Sequence, residues 1–288
     1  MITNIPAADQ LRSKMAKRDF MIGACAWDVI SAKMIEKAGY DFVAYLSGIW
    51  MSVRGYHEAK GVVSPNEIAD YIYKVTQQIS IPLLVDMERG GETLRGAVHW
   101  LHQYEHAGAA WIYIDDHADM WNTESHAFLE GDYEMVPVER NCEMIEAFIK
   151  ERKTNIVIGA RTQAWRFSAE EQVRRSKLYK EAGAEIIHLV GVPDQKTLRQ
   201  IRKEIDGPLL VQVTPPGYVQ ESLVRAYLPS LSFDELKAEG INFHLNPRIV
   251  NVAYKATWDA LNAIKAAGNL EVTKDKLMPH KQSLGFLD

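Results

Sequence analysis

Short apolar segments alternate eight times with longer segments of helical periodicity along this 288-residue chain. Four junctions share one arrangement, a helix end followed by glycine and a return to apolar residues, at 36–40, 105–109, 181–184 and 238–241. Glycine there takes the left-handed conformation that ends a helix. Eight strand–helix units within one domain length predict an α/β fold, a (β/α)₈ barrel of the TIM type rather than an open doubly wound sheet. We assign the barrel, with an N-terminal helix, to residues 1–270 and a C-terminal tail to residues 271–288.

The elements are predicted from periodicity and from capping residues. The predicted strands are 20–26, 42–46, 82–85, 111–114, 155–160, 185–190, 208–213 and 241–245. The predicted helices are 6–17, 29–38, 65–79, 91–107, 136–153, 168–182, 194–204, 233–238 and 249–267. Ser64 precedes Pro65, and Ser168 stands three residues before Glu171 in the spacing of a capping box. Asp28 is interpreted mainly as the N-cap of the helix at 29–38.

Composition and charge exclude several classes of function. Hydrophobic residues make up 47% and charged residues 25% of the chain, as in ordinary globular proteins, and the net charge is −5. With no basic surplus, neither nucleic acid nor an anionic membrane is an expected partner, and no apolar run approaches the ~20 residues of a membrane helix. Cys25 and Cys142 form neither a disulfide framework nor a zinc motif. With no signal-peptide pattern, we expect a cytoplasmic protein that acts on a small molecule.

Two predicted strands end in paired carboxylates. Asp86 and Glu88 follow the strand at 82–85, and Asp115 and Asp116 follow the strand at 111–114. Strand C-termini form the catalytic face of such a barrel, so these acids are expected to converge. Clustered carboxylates repel one another unless a cation holds them, and their hard oxygens suit Mg²⁺, with Mn²⁺ as the second choice. The alternative is that they cap the following helices or are solvated.

Other polar residues follow the remaining strands. Arg161 ends the fifth predicted strand and is either a ligand for a substrate anion or an ordinary salt-bridge partner. Thr214 follows the seventh strand, and Ser47-Gly48, which as a dipeptide is also a common turn, follows the second. Together with the acids, this set suits a metal-bound, anionic, oxygen-rich substrate.

At this point the motifs resemble those of the isocitrate lyase/phosphoenolpyruvate mutase superfamily over residues 22–263. They occur in the family's order, and they are Trp27-Asp28-Val29-Ile30-Ser31-Ala32, Tyr45-Leu46-Ser47-Gly48, Asp86-Met87-Glu88-Arg89-Gly90, Ile114-Asp115-Asp116, Ala160-Arg161-Thr162 and Glu181-Ala182-Gly183-Ala184. The resemblance implies a barrel with Mg²⁺ and an α-oxo or α-hydroxy carboxylate ligand. Members cleave C–C or P–C bonds or move a phosphoryl group, and the resemblance also implies a homotetramer.

The resemblance also assigns roles to individual residues. The expected metal residues are Asp86, Glu88 and Asp115. It matches Ser47 and Gly48 to the groups that hold the substrate carboxylate, and Arg161 to the substrate-binding Arg. Tyr45 in the same motif as Ser47, Thr214 at a strand end and Asn122 in the loop after the fourth strand complete the expected substrate-binding residues. The family usually has Asp at the position of Glu88 and Glu at the position of Asp115, while Asp116 matches the Asp that follows.

The departures from the family pattern bear on the reaction. The loop after the fourth strand, at 117–126, lacks the lyase cysteine. Val190 stands where the family usually has a Glu, a pattern similar to the oxaloacetate decarboxylase branch, but Pro247 stands near the position where that branch has a His, as in the lyases. The resemblance therefore leaves an oxaloacetate decarboxylase-like and a 2-methylisocitrate lyase-like branch open. We therefore expect a lyase that works by decarboxylation or retro-aldol cleavage through an enolpyruvate-type species. Phosphonopyruvate-type P–C chemistry, for which Asn122 is suggestive, remains the alternative, and a non-catalytic barrel is a third. The connection 116–137 is expected to close over the site, with His126 and then His117 as candidate proton donors.

Overall fold

Eight parallel strands form a closed barrel in the computed structural model, which describes residues 6–55, 63–117, 135–214, 228–229 and 231–287. The barrel strands are β1 (Met21–Cys25), β2 (Phe42–Tyr45), β3 (Leu83–Asp86), β4 (Trp111–Asp115), β5 (Val157–Thr162), β6 (Ile186–Leu189), β7 (Leu209–Thr214) and, after the two-residue strand β8 (Leu228–Pro229), β9 (Phe243–Asn246). Each strand pairs with the next from β1 to β7, and β9 closes the ring between β7 and β1. The predicted (β/α)₈ barrel is confirmed.

Helices return the chain between the strands. They are α1 (Ala7–Lys17), α2 (Val29–Lys37), α3 (Ser47–Ser52), α4 (Pro65–Thr76), α5 (Leu94–His106), α6 (Val138–Glu151), α7 (Ala169–Glu181), α8 (Gln195–Glu204), α9 (Phe233–Ala238), α10 (Ile249–Ala267) and α11 (His280–Leu284). Asp28 and Ser64 cap α2 and α4 with complete capping boxes. Ser168 also caps α7, but there the Glu171 carboxylate pairs with the Arg175 guanidinium, a stronger partner than a backbone amide.

The segment after β2 differs from the predicted long connection over 48–64. Helix α3 begins at Ser47, directly after β2, and Trp50 N donates to Leu46 O in its first turn. The Trp50 side chain is buried in the core, so apolar packing supports this short helix. Helix α11 similarly lies in the tail, where the sequence shows no strong periodicity.

Aromatic side chains fill the N-terminal end of the barrel. Phe42, Trp111 and Phe243 are each the first residue of a strand, and their ring centroids lie 5.1 to 6.1 Å apart. Gly23 makes room for this packing, because a Cβ at that position would lie 2.2 Å from the Phe42 ring. Leu11 of α1 is buried in the same cluster. Because apolar side chains fill the N-terminal end of the barrel, a polar site inside the barrel is expected at its C-terminal end.

Helix α10 exposes several large apolar side chains to solvent. Its large exposed apolar side chains are Val252, Tyr254, Trp258 and Leu261. Leu270, just before the tail, and Leu277, Leu284 and Leu287 in the tail are also exposed. Exposed apolar patches of this kind mark surfaces that contact another protein or a membrane. Within the described ranges, neither α10 nor any other helix is long and apolar enough to cross a bilayer.

Candidate active site

The C-terminal ends of β3, β4 and β5 bring three charged side chains together. Asp86 ends β3, Asp115 ends β4, and Arg161 of β5 lies opposite Asp115 in the strand pairing. The side chains of Asp86, Asp115 and Arg161 are 2%, 0% and 12% exposed. Charged groups this deeply buried must be paired with one another or with a ligand.

The Arg161 guanidinium joins the two aspartates. Its Nη1 donates to Asp86 Oδ2 at 3.1 Å and to the Tyr113 hydroxyl at 2.9 Å, and its Nη2 donates to Asp115 Oδ2 at 2.6 Å. Gln163 Nε2 donates to the same Asp115 oxygen at 2.7 Å. The arrangement fixes the orientation of Arg161 through several hydrogen bonds rather than through charge alone.

Tyr113, Gln163 and His188 are site residues that the sequence analysis missed. Gln163 stands two residues after Arg161 and so faces the same side of the extended chain. Tyr113 stands two residues before Asp115, and His188 lies opposite Arg161 in the β5–β6 pairing. Strand alternation counted from Arg161 was the available signal for Gln163, whereas Tyr113 and His188 stand in continuous apolar strands whose pattern does not by itself show which side faces the barrel.

The protonation states in this cluster follow from burial and neighbouring charge. Burial alone would lower the pKa of Arg161, but Asp115 and Asp86 hold that pKa well above its ordinary value. Burial raises the pKa of Tyr113 well above its ordinary value, although Arg161 opposes the shift. Burial and the charge of Arg161 hold the pKa of His188 well below its ordinary value. At neutral pH the cluster therefore contains a charged guanidinium beside a neutral phenol and a neutral imidazole.

Glu88 lies in a strained turn that is tied to the end of β4. Its φ is 55°, a left-handed conformation that is uncommon for a residue other than glycine. Glu88 N donates to Asp86 Oδ1 at 2.9 Å, and Asp115 N donates to Glu88 O at 2.7 Å. Such strain is found preferentially at functional sites. Both Glu88 carboxylate oxygens are buried, so the turn brings a further acid into the interior beside Asp86.

Asp116 does not join the other acids, although the sequence places it beside Asp115. Its carboxylate accepts from Gln163 N at 3.0 Å and from the Tyr179 hydroxyl of α7 at 3.1 Å, and Arg175 Nη1 lies 3.7 Å away. Consecutive strand residues point to opposite faces, so Asp116 faces the helix layer when Asp115 faces the barrel. Burial and Asp115 raise the pKa of Asp116 to about 7. The expected convergence of four carboxylates is therefore wrong for Asp116.

Tyr45 and Ser47 lie at the end of β2. Ser47 is buried and begins α3, so the amides of Ser47 and Gly48 belong to a first helical turn, whose N–H groups have no acceptor inside the helix. The Tyr45 ring packs against Trp50 and Tyr71 with centroids 5.8 and 5.4 Å away. Burial and the nearby charges of Glu88 and Asp86 raise the pKa of Tyr45 well above its ordinary value.

An apolar wall stands at the ends of β5 and β6. Val190 and Val192 are buried, and Trp165 packs over the backbone of Gly191 between them. Gly191 has φ 81°, and a Cβ there would lie 1.7 Å from Trp165 Nε1, so glycine is required by both conformation and space. The sixth strand thus ends in apolar groups where the superfamily usually has a glutamate.

Several predicted site residues cannot be placed with the cluster. Asn122 and His126 lie outside the described residues, and Thr214 ends β7 but its side chain is likewise outside them. His117 is buried and forms an isolated antiparallel bridge with Met135.

The acids of this cluster are of the chemical type that binds a hard divalent cation, but their positions do not form a metal-binding group. Asp86, Glu88 and Asp115 supply the carboxylate oxygens that Mg²⁺ prefers. In the parts of the chain that the structure describes, no three His, Cys, Asp or Glu side chains are arranged to hold a metal ion. Arg161 instead takes one oxygen from each aspartate. The donor set therefore suits Mg²⁺ in chemistry, whereas in the described structure the two aspartates are arranged as an ion pair with Arg161.

Fold and site together define a (β/α)₈ barrel enzyme with a buried cluster of carboxylates and one arginine at the strand C-termini. The chain matches the phosphoenolpyruvate phosphomutase family over residues 11–265, and it therefore belongs to that family within the phosphoenolpyruvate mutase/isocitrate lyase superfamily. The resemblance inferred from the sequence motifs is confirmed.

Similar proteins from this superfamily have been named as lyases. The chain is 26% identical over 269 residues to the 2-methylisocitrate lyase of Aeropyrum pernix, a match that covers 93% of this chain and 82% of that protein. It is 26% identical over 280 residues to the oxaloacetate decarboxylase of Pseudomonas putida strain GB-1, with 92% and 89% covered. A crystal structure of 2,3-dimethylmalate lyase has a TM-score of 0.82 at 25% identity, with 97% and 90% covered. These names bear out the prediction of an enzyme of the carbon–carbon lyase type.

Proposed function

We propose that the chain is a Mg²⁺-dependent lyase that acts on a 2-oxo or 2-hydroxy (di)carboxylate. It cleaves a carbon–carbon bond, by decarboxylation or by retro-aldol cleavage, and leaves an enolpyruvate-type species. The observation that carries the proposal is the buried cluster of Asp86, Asp115 and Arg161 at the catalytic end of the barrel. The match to a family whose similar members are named as lyases and a decarboxylase supports the same reaction type.

The side chains have separate roles in this proposal. Asp86, Glu88 and Asp115 would hold Mg²⁺, which when bound supplies a Lewis acid beside the substrate carbonyl. Arg161 binds the substrate carboxylate and stabilises negative charge that develops during cleavage. The amides of Ser47 and Gly48, together with Tyr45, Thr214 and Asn122, complete the binding of the substrate.

The proton that ends the reaction comes from the connection after β4. We assign it first to His126 and second to His117, because the imidazolium form of histidine is a common general acid near neutral pH. The same connection excludes water from the reactive intermediate when it closes over the site.

The apolar wall at Val190, Gly191 and Val192 narrows the substrate class. A carboxylate against these side chains would lose its solvation without a partner, which is costly. We therefore propose a substrate whose group at this wall is small or apolar, closer to oxaloacetate or a methyl-substituted malate than to a tricarboxylate.

We propose a cytoplasmic homotetramer whose contacts use the exposed apolar side chains of α10 and the tail.

A coupled assay for pyruvate tests the function, since each substrate of interest releases pyruvate with a different second product. Oxaloacetate gives carbon dioxide, 2,3-dimethylmalate gives propionate, 2-methylisocitrate gives succinate, and phosphonopyruvate gives phosphate. We expect Mg²⁺-dependent release from oxaloacetate or the dimethylmalate, and loss of it in Asp86→Asn. Asp28→Asn, the same acid-to-amide change at a helix cap, serves as the control and should retain activity. Phosphate as the only second product would favour the P–C alternative, and activity of Asp86→Asn equal to wild type would refute the metal role.

A further inference from the structure

Arg161 has two roles that conflict. In the structure it is the counter-ion of Asp86 and Asp115, and three of its N–H groups are used by Asp86, Tyr113 and Asp115. In the proposed function it binds the substrate carboxylate. Two of its five N–H groups remain, one on Nη2 and one on the buried Nε, for which the described residues supply no acceptor, so a further anion has only these two while Arg161 holds both aspartates.

The charges sharpen this conflict. Two carboxylates and one guanidinium sum to −1, and Glu88 nearby adds a further negative charge. A substrate carboxylate that approaches this cluster meets a net negative site, and buried charges are screened only weakly. A divalent cation on the same carboxylates changes the sum for Asp86, Asp115 and Arg161 from −1 to +1. With Glu88 included, the sum changes from −2 to 0, so the cation removes the net repulsion that the anion otherwise meets.

We propose that Arg161 is an exchangeable counter-ion: its side chain and a divalent cation compete for Asp86 and Asp115, and cation binding releases the guanidinium for the substrate carboxylate. The inference rests on the proposed metal-dependent function. It predicts an order of binding in which the cation binds first and the substrate anion second, because Arg161 becomes available to the anion only after the cation has displaced it. It also requires that Arg161 weaken cation affinity, because the cation must displace it.

Arg161→Gln and Arg161→Lys separate exchange from simple charge. Glutamine removes both the competing fork and the charge, whereas lysine keeps the charge but has a single ammonium in place of the planar fork that reaches both aspartates. Arg12→Gln is a matched control at the other end of the barrel, where Arg12 forms a similar two-pronged pair with Glu185 at 2.6 and 3.1 Å.

The measurement is Mn²⁺ binding by calorimetry to protein dialysed against EDTA, without substrate. We expect Arg161→Gln to bind Mn²⁺ at least about tenfold more tightly than wild type. This factor corresponds to a wild-type protein in which the guanidinium is released in about a tenth of the molecules, because the apparent affinity falls by that fraction. Arg161→Lys should lie between the two, and Arg12→Gln should match wild type.

Thermal unfolding gives a second readout that does not require catalysis. Arg161→Gln leaves two buried aspartates without their cation and should lower Tm, and Mn²⁺ should raise its Tm by more than it raises that of wild type. Arg12→Gln should also lower Tm, with a Mn²⁺ effect no larger than in wild type.

The outcomes distinguish the inference from the function beneath it. If wild type binds Mn²⁺ and Arg161→Gln binds no more tightly, exchange is wrong while the metal-dependent function stands. If Arg161→Gln is tighter but Arg161→Lys equals wild type, charge alone explains the effect and exchange is again wrong. If no variant binds Mn²⁺, both the inference and the metal-dependent function are refuted.

Discussion

Gly191 and Gly39 offer a direct test of how the apolar wall of the site is built. Both glycines have left-handed backbone, with φ of 81° and 85°. They differ in surroundings: a Cβ at Gly191 would lie 1.7 Å from Trp165 Nε1, whereas nothing lies within 4 Å of a Cβ at Gly39. Substitution by alanine therefore adds the same backbone strain at both positions and a steric clash at only one.

The two costs can be estimated separately. Left-handed backbone costs an alanine roughly 1–2 kcal/mol, and this is the whole effect expected for Gly39→Ala. Forcing a methyl group into the space of Trp165 adds about 1–3 kcal/mol, the usual range for overpacking. We expect Gly191→Ala to lower the free energy of unfolding by about 2–5 kcal/mol in total.

Urea unfolding measures the free energy of unfolding of both variants, provided that their m-values equal that of wild type. The assay for pyruvate release measures KM and so reports any change in substrate binding. Because Trp165 follows β5 at the catalytic end, its displacement should raise KM in Gly191→Ala, whereas Gly39→Ala should keep the wild-type KM. Equal losses of stability in the two variants would refute the packing argument. A wild-type KM in Gly191→Ala would show that Trp165 does not contribute to substrate binding at the apolar wall.

Three further predictions concern other parts of the chain. Glu185→Gln should lower Tm at pH 7. Burial alone would raise the pKa of Glu185, but Arg12, the Ile158 amide and Arg152 hold that pKa below its ordinary value of 4.5, so the carboxylate stabilises the fold above pH 4.5. This stabilisation is lost as pH falls through the folded pKa, so the difference in Tm from wild type should shrink in acid. His126→Ala should reduce turnover more than His117→Ala, measured as kcat with saturating Mg²⁺. Removal of the residues after Lys276 should lower the oligomer mass found by light scattering.

Each of these three has a clear contrary result. A Tm difference for Glu185→Gln that stays constant from pH 7 to pH 3 would show that packing, not charge, is lost. Wild-type kcat in both histidine variants would place the proton donor elsewhere in the molecule. A monomeric mass for the intact chain at micromolar concentration would contradict assembly through the tail.

The end of the barrel at which Asp86, Asp115 and Arg161 lie could be predicted without the tertiary structure. A buried parallel strand is a continuous apolar run, so the residue at which the run stops marks the sheet edge, and Asp86, Asp115 and Arg161 all stand at such stops. Helix starts such as Ser64 and Asp28 were also predictable, because a cap is a contact between residues three apart. Both inferences depend only on neighbours along the chain.

Contacts between strands were decided by the tertiary structure. The pairing of Arg161 with both Asp86 and Asp115 depends on strand register and side-chain direction, which join residues 75 and 46 positions apart. The same geometry turns Asp116 towards Tyr179, although sequence alone places it beside Asp115. Tyr113 and His188 enter the site for the same reason, as inward-facing members of strands whose apolar pattern is continuous and so does not reveal which side faces the barrel. The sequence by itself determined which residue types end each strand, and the closed barrel decided which of them meet, because distances across a barrel are set by strand pairing and not by separation along the chain.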